Sequence, residues 1–436
     1  MLPIQLIREN PEAVRRGLAR RGADDVPLDD ILSLDAERRR TLQEVESFRA
    51  ERNALSKEVG QLARLMKTAD TKEAKHAEHR RSDLVARSSF LGDKLDSLEE
   101  QLRDMDGRLR DLLLLVPNLP ADSVPDGTDE SANVVLRTEG DPIEPTFHKP
   151  HWELGESLGI IDFERGSKLS GSRFYILKGL GARLQRALIA LMLDLHTSSG
   201  RYTEVYPPVM VKEENMLAAG QLPKFADNLY RDAEEDFWFI PTAEVPLTNL
   251  HRDEILEPGA LPLSYVACTP CFRREKMSAG RDVRGIKRGH QFDKVELYRF
   301  VEPDQSAEAL HELLRDAVAV CTALEIPHRI VQLCTGDLGF NAVEAFDIEM
   351  WAPGCREWLE VSSCSNCTDF QARRANIRYR KEKGARPEHP HTLNGSGLAL
   401  PRTLIAVLEN YQQPDGSVLI PEALRPYMGG LERITT

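Results

Sequence analysis

From about Leu34 to Leu113 the chain contains no proline, and its apolar residues fall into heptads. Leu91, Leu95, Leu98, Leu102, Met105, Leu109 and Leu112 alternate spacings of four and three, as do Val45, Phe48, Leu55, Val59, Leu62 and Met66, with Arg52 in one core slot. Such a repeat is the seam of a coiled coil. Between the halves, Lys67 to Lys75 carries no apolar seam and contains the turn-prone Ala69-Asp70-Thr71. A parallel coiled-coil dimer would need an unbroken seam, so the pattern predicts an antiparallel hairpin within one chain. With about thirty residues a side it projects on the order of 45 Å. A short helix precedes it, with Asn10 as cap, Pro11 in its first turn and Gly22 at its end.

The seam stops at Val116-Pro117-Asn118-Leu119-Pro120. From there to Pro150 the sequence is rich in Pro, Asp and Gly and has no sustained period, which predicts an irregular linker over residues 116–150. From His151 the pattern becomes mixed. Leu184, Leu188, Leu191, Met192 and Leu195 predict an amphipathic helix ending near Gly200, and a second helix is expected from about Ser306 to Leu324. Strands are expected at Phe237 to Ile240, Cys268 to Arg274, Val295 to Val301, Ile330 to Leu333, Phe346 to Trp351 and Trp358 to Ser362. They cluster without regular strand–helix alternation, which predicts an α+β domain on an antiparallel sheet over residues 151–436, after an N-terminal domain of residues 1–115.

At 436 residues, 41% hydrophobic and 29% charged, the chain reads as a soluble multidomain protein. No uncharged stretch approaches the ~18 residues of a membrane span. Glu9, Glu12, Asp24 and Asp25 argue against a transit peptide, so no membrane role and a cytoplasmic location are expected. Seven cysteines, an odd number, do not suggest a disulfide framework. Cys268/Cys271 and Cys364/Cys367 form two C-x-x-C pairs, but about ninety residues separate them, and strand positions three apart point to opposite faces. No zinc is expected.

Although the formal net charge is -13, the run from Cys271 to Phe300 gathers Arg273, Arg274, Lys276, Arg281, Arg284, Lys287, Arg288 and Lys294. A locally cationic segment on an acidic protein marks a polyanion site. Its ends read as strands and its middle, with Gly280, Asp282 and Gly285, as a long loop, a hairpin able to grip phosphates with guanidinium forks. The alternative for an isolated basic run is a solvated loop. Three further segments favour the site: Ile240-Pro241-Thr242-Ala243-Glu244 after a strand, Trp358-Leu359-Glu360-Val361-Ser362-Ser363 on a strand, and the Gly-rich turn Asn394-Gly395-Ser396-Gly397-Leu398-Ala399 leading through Pro401-Arg402 into an apolar helix. There is no G-x-G-x-x-G and no Walker A motif.

In order and spacing these segments resemble the motifs of the class II aminoacyl-tRNA synthetases, in the form seen in seryl-tRNA synthetases. The resemblance runs from the opening MLPIQLIRENPEAVRRGLARRG to the closing PEALRPYMGG. It implies a class II catalytic domain behind a coiled-coil arm that lies on tRNA(Ser), with tRNA(Sec) left open as a second acceptor. It implies L-serine and ATP as substrates and Mg2+ as the ion that accompanies ATP. By the same resemblance Arg273 holds the α-phosphate and the serine carboxylate, and Arg288 holds the γ-phosphate. Phe292 and Arg402 sandwich the adenine, and Glu275 reads its amino group. Arg274, Val361 and Ser362 complete the ATP site, and Glu360 and Ser363 are the Mg2+ ligands. Thr242, Ala243, Glu244, Glu296 and Ser396, with Arg273, form the serine pocket; Arg273 and Arg402 are the catalytic residues. The segment Gly200 to Val209, with Pro208, resembles motif 1, which implies a homodimer. Two departures are Glu275-Lys276-Met277, where the family often has Glu-Ala-Gly, and Pro401 directly before Arg402. The resemblance also sets aside two rivals: a non-catalytic RNA-binding paralogue would have no need of Arg273, Glu275, Glu360 and Arg402, and a ligase charging carrier proteins would not need the arm.

Overall fold

The structure is a computed structural model, in which residues 1–68, 70–276 and 284–435 are described. Ala69 of the predicted turn and Met277, Gly280, Arg281 and Asp282 of the cationic loop lie outside the described residues. The chain divides into two compact units, one of Pro3–Arg15 and Asp25–Val116, the other of Met1–Leu2, Arg16–Asp24 and Pro117–Thr436. Two short helices open it, α1 (Ile4–Glu9) and α2 (Pro11–Arg20), and Gly22 takes the left-handed backbone (φ +64°) that ends the second.

Two long helices, α3 (Leu28–Leu65) and α4 (Thr71–Leu114), make the arm. Asp70 caps α4 by accepting from the backbone N–H groups of Lys72 and Glu73 at 2.9 and 3.0 Å. Val45, Leu55, Leu91, Leu95, Met105 and Leu109 of the predicted seam are buried. Ion pairs across the two helices join Arg38 to Asp106, Arg49 to Glu99, Arg80 to Glu58 and Arg87 to Glu51. Low numbers on one helix meet high numbers on the other, as an antiparallel hairpin requires. Exposed pairs of this kind contribute about 0–1 kcal/mol each, so the seam carries the stability and the pairs record the register. Arg52, the charged residue in the seam, stays exposed, and a Cβ added at Gly92 would lie 3.8 Å from its Cζ. That is ordinary van der Waals contact, so Gly92 lies opposite Arg52 without being required by it.

The larger unit is built on an eight-stranded sheet. Its strands are β1 (Val134–Glu139), β2 (Thr203–Glu204), β3 (Leu263–Phe272), β4 (Gln291–Val301), β5 (His328–Gln332), β6 (Glu344–Ala352), β7 (Glu357–Thr368) and β8 (His391–Ala399), in the spatial order β1-β5-β6-β7-β8-β4-β3-β2. Every neighbouring pair is antiparallel except β2 and β3 at one edge. One face packs on three helices: α6 (Leu180–Thr197) through Leu184, Leu188 and Leu191, α7 (Ser306–Ala323) through Leu310, Leu313 and Ala317, and α8 (Leu400–Asn410) through Leu404, Ile405 and Leu408. Val295, Leu297 and Val301 of β4 and Phe346, Ile348 and Met350 of β6 meet them, every second residue as the pleat demands. A seven-residue helix, α5 (His151–Ser157), contributes Leu154 to the same core.

Two expectations are corrected. The stretch read as an irregular linker contains β1, the edge strand, which pairs with β5 from Val134↔Gln332 to Glu139↔His328. An edge strand is paired on one side only, and Val134, Val135 and Leu136 remain exposed, so it shows no burial alternation for a periodicity reading to detect. The stretch read as a Gly-rich turn is β8, in the middle of the sheet. Its glycines face the helices: a Cβ at Gly395 would lie 2.5 Å from Leu313 Cδ2, and one at Gly397 would lie 2.5 Å from His196 Nε2. They are glycines because helices approach the strand closely, not because the chain turns. The strand expected at Phe237 to Ile240 shortens to Trp238–Phe239 and pairs with Met210–Val211 outside the main sheet.

Gly397→Ala tests that close packing. His196 is buried and its Nε2 lies 3.0 Å from the Gly397 carbonyl, so it cannot withdraw without losing that hydrogen bond. The substitution should cost about 1–3 kcal/mol, read as a lower midpoint in thermal denaturation; an unchanged midpoint would contradict the packing described.

Candidate active site

The sheet face turned away from the three helices carries the polar residues. On β4, Phe292, Lys294 and Glu296 alternate onto that face; on β8, Asn394 and Ser396 do so, Ser396 paired with Glu296 across the strands. On β7 a simple alternation would place Glu360 and Ser362 together. The ladder slips there: Glu349 pairs with Glu360 but Ile348 with Ser362, which leaves Val361 as the extra residue of a bulge. The slip puts Glu360, Ser363 and Ser365 on the cleft face and turns Ser362 to the helix side, where it is buried and donates to the Ser396 carbonyl at 2.6 Å.

These strands, the segment after β3 and the first turn of α8 enclose a cavity of about 480 Å3. Of the residues expected in the site, Thr242, Glu244, Arg273, Glu275, Arg288, Phe292, Glu296, Glu360, Val361, Ser363, Ser396 and Arg402 line it. Ser362, Arg274 and Ala243 do not. Arg274 stacks its guanidinium 5.2 Å from the Tyr230 ring centre, and Ala243 is buried with Leu247 in a small core beside Tyr298 and Phe300. Pro401, the departure before Arg402, sits in the first turn of α8, where its missing N–H costs nothing.

One end of the cavity is a pocket of buried hydrogen-bonding groups. The Thr242 hydroxyl donates to Glu296 Oε2 at 3.0 Å and accepts from the Glu244 backbone N–H at 3.2 Å. Glu296, 1% exposed, is also paired with Lys294. Glu244 accepts from Gln371 Nε2 at 2.5 Å and Asn394 Nδ2 at 3.3 Å. Gln371 is itself fixed, its Oε1 accepting from Thr392 at 2.7 Å and Tyr298 at 3.0 Å. Burial, and then the neighbouring Glu296 charge, push the Glu244 carboxyl up to about 7.

The other end is cationic. Arg402 donates to the Glu360 carbonyl at 2.7 Å and lies 3.2 Å from its carboxylate. Desolvation by the cleft walls opposes ionisation of the part-exposed Glu360, but the guanidinium groups of Arg402, Arg273 and Arg288 together hold its carboxyl below the ordinary value. Arg288 reaches to 3.7 Å from Glu275. Arg273 stands between the two ends, donating to the Pro241 carbonyl at 3.2 Å with its guanidinium 5.2 Å from the Phe292 ring centre. Lys294, Asn394, Asn228 and Gln371 also shape the site; Lys294 and Asn394 fell within segments picked out from the sequence but were given no role there, and Asn228 and Gln371 were not picked out at all. Lys294 and Asn394 each lie two residues before an expected site residue, so strand alternation could have found them. Asn228 braces the backbone on both sides of Glu275, accepting from Arg274 and Lys276, and no sequence pattern points to it.

Among the described residues neither cysteine pair belongs to a converging group of three or more metal-binding side chains. Burial pushes the thiols of Cys268 and Cys364 up to about 12. Among the described residues the group of His, Cys and carboxylate donors that does converge is His151, Cys355 and Glu409.

The family pattern of the tRNA synthetase class II core domain (G, H, P, S and T) matches residues 225–411, which makes the sheet and its cleft those of a class II aminoacyl-tRNA synthetase. The Seryl-tRNA synthetase N-terminal domain matches residues 1–120. A "Serine--tRNA ligase" of Roseiflexus sp. (strain RS-1) is 61% identical over 100% of this chain and 99% of its own, and one of Thermomicrobium roseum is 59% identical over 100% and 95%. Among solved structures, seryl-tRNA synthetase from Pyrococcus horikoshii complexed with ATP superposes with a TM-score of 0.90 at 39% identity, and cytoplasmic serine-tRNA ligase from Naegleria fowleri in complex with AMP with 0.86 at 31%; each alignment covers 100% of this chain and 99% of the other. The chain belongs to the seryl-tRNA synthetase family.

The raised Glu244 carboxyl has a thermodynamic consequence. Between about 4.5 and 7 the folded state binds a proton that the unfolded state has released, so this group makes stability fall as pH rises through that window. Glu244→Gln removes the contribution. Urea denaturation should therefore show the variant gaining stability relative to the parent between pH 5 and pH 8; a relative loss would contradict the burial assigned to Glu244.

Proposed function

We propose that this chain is an ATP-dependent serine–tRNA ligase that forms seryl-adenylate and transfers the seryl group to the 3′ end of tRNA(Ser). The observation that carries the reading is the position of Arg273, between a pocket of buried hydrogen-bonding groups and a cluster of guanidinium groups. A serine carboxylate held there attacks the α-phosphorus of ATP, the bond to the β-phosphate breaks and pyrophosphate leaves. The nucleophile is already ionised at neutral pH, so the step needs no general base and rests on positioning and charge neutralisation. The tRNA 3′-terminal ribose hydroxyl then attacks the seryl carbonyl and AMP departs.

Thr242, Glu244 and Glu296, with Ser396, read the ammonium and hydroxyl of serine. A pocket of this kind rejects an alanine-like analogue because its own polar groups would be left unpaired. Phe292 and Arg402 hold the adenine, Glu275 its amino group and Arg288 the γ-phosphate. Glu360 and Ser363 offer an ionised carboxylate and a hydroxyl on one face of β7, and the half-buried Asp347 opposite Ser363 keeps a buried, unpartnered Oδ1. This all-oxygen set fits Mg2+, which, bound with ATP, would neutralise phosphate charge.

The arm supplies tRNA affinity through phosphate and shape contacts, with tRNA(Sec) as a second acceptor to be tested beside tRNA(Ser). The motif 1-like segment around Tyr206, a side chain 95% exposed, supports a homodimer. Among the described residues no helix is long and apolar enough to cross a membrane, in keeping with a cytoplasmic enzyme.

Amino-acid-dependent ATP–pyrophosphate exchange across the standard amino acids should respond strongly to serine alone; a response to another amino acid, or to none, would overturn the substrate assignment. Two variants separate the two halves of the reaction. Arg273→Ala should lower exchange by about 10²–10³-fold while tRNA binding survives. Replacing residues from about Arg39 to Arg108 by a short flexible linker should spare exchange and nearly abolish charging. Unchanged charging after that deletion, or lost exchange in a protein still folded by circular dichroism, would contradict the division of labour.

A further inference from the structure

Three groups from separate elements converge behind the cleft: His151 in the first turn of α5, Cys355 in the turn between β6 and β7, and Glu409 near the end of α8. His151 and Glu409 are fully buried. Glu409 Oε1 accepts from the His151 backbone N–H at 2.8 Å and the Cys355 thiol at 3.0 Å, and lies 3.1 Å from His151 Nδ1. Its Oε2 accepts from the Cys355 backbone N–H at 2.9 Å. On the far side of the ring, His151 Nε2 accepts from the backbone N–H of Ile286 at 3.1 Å.

That last contact fixes the chemistry of the cluster. A neutral imidazole nitrogen that accepts a hydrogen bond carries no proton, so the proton sits on Nδ1 and is donated to Glu409. A metal at Nδ1 would force the proton onto Nε2 and set it against the Ile286 N–H. The cluster is therefore a hydrogen-bonded relay that runs carboxylate, imidazole, backbone N–H.

We propose that this relay makes His151 a positioning residue for the phosphate-gripping segment Gly285 to Arg288, an inference that rests on reading Arg288 as the γ-phosphate ligand. Gly285 has φ +77°, and a Cβ there would stand 2.1 Å from His151 Nε2, so the segment is pressed against the ring with only glycine able to occupy the contact. Ile286 is buried and held by its N–H, Lys287 is held by Glu357 at 2.6 Å, and Arg288, next in line, faces the cavity. Helix α8 thus serves both sides of the nucleotide: Arg402 in its first turn lines the cleft, and Glu409 in its last turn anchors, through His151, the segment that carries Arg288. A displaced segment would loosen the grip on the outer phosphates and leave the adenosine and α-phosphate contacts alone.

The test compares ATP with AMP binding by calorimetry on the full-length protein, together with the KM for serine in pyrophosphate exchange. Arg288→Ala is the reference and should weaken ATP but not AMP. His151→Asn keeps the donor toward Glu409 and deletes the acceptor for Ile286; it should weaken ATP about tenfold, with AMP affinity and the serine KM within about twofold. Gly285→Ala, which crowds the ring from the loop side and leaves the core residue in place, should give the same split and decides the matter if His151→Asn fails to fold. His151→Gln, which can return an acceptor oxygen near the Nε2 position, should recover part of the ATP affinity. If Arg288→Ala does not separate ATP from AMP, the γ-phosphate reading fails. If it does, but the folded His151→Asn or Gly285→Ala proteins bind ATP normally, or lose ATP, AMP and serine alike, the relay does not position the segment and the proposal is overturned.

Discussion

Side chains on a β-strand alternate between two faces, so a sheet that packs three helices on one side must gather its polar residues on the other. In β4 the rule operates without interruption, and Phe292, Lys294 and Glu296 arrive in the cleft while Val295 and Leu297 go to the core. In β7 the useful residues are at odd spacing, and the bulge at Val361 shifts the alternation by one so that Glu360 and Ser363 share a face. In β8 two helix-facing positions, Gly395 and Gly397, are glycines, which lets α6 and α7 approach closely behind Asn394 and Ser396. The chemistry of the cleft follows from where each strand keeps, shifts or empties its alternation.

Two carboxylates in that cleft have opposite surroundings. Glu360 lies among guanidinium groups and stays ionised, as a residue facing phosphates and a divalent cation must if it is not to repel its own counter-charges. Glu244 lies among neutral amides beside a second carboxylate, and its proton is held to about 7. A cationic ligand group such as an ammonium would reverse that balance and favour the charged form. The same sheet face therefore presents one end suited to polyanions and another suited to a small zwitterion, with Arg273 between them.

Much of this was legible in the sequence. The arm declared itself because a heptad seam is a local, repeated signal, and its one charged seam residue, Arg52, stays exposed. The hairpin of β3 and β4 was legible from two apolar runs flanking a basic loop. The edge strand β1 was not, because an edge pairs on one side only and its exposed residues have no reason to alternate. The glycines of β8 read as a turn because the reason for them, Leu313 and His196 pressing from behind, is distant in sequence. Ser362 was assigned to the nucleotide because a bulge cannot be seen in a string of residues, and Gln371 was missed because it lies 127 positions from the Glu244 it braces. The cysteine pairs drew notice by spacing, whereas the convergent trio of His151, Cys355 and Glu409 carries no local pattern at all.

The account turns on one small molecule filling both ends of the cleft at once, and a structure with a non-hydrolysable seryl-adenylate analogue bound tests it most directly. The account predicts the seryl ammonium and hydroxyl within hydrogen-bond distance of Thr242, Glu244 and Glu296, the phosphate mimic on Arg273, and the adenine between Phe292 and Arg402. An adenine bound away from Phe292 and Arg402, or a seryl group that leaves Glu244 and Glu296 uncontacted, would contradict it.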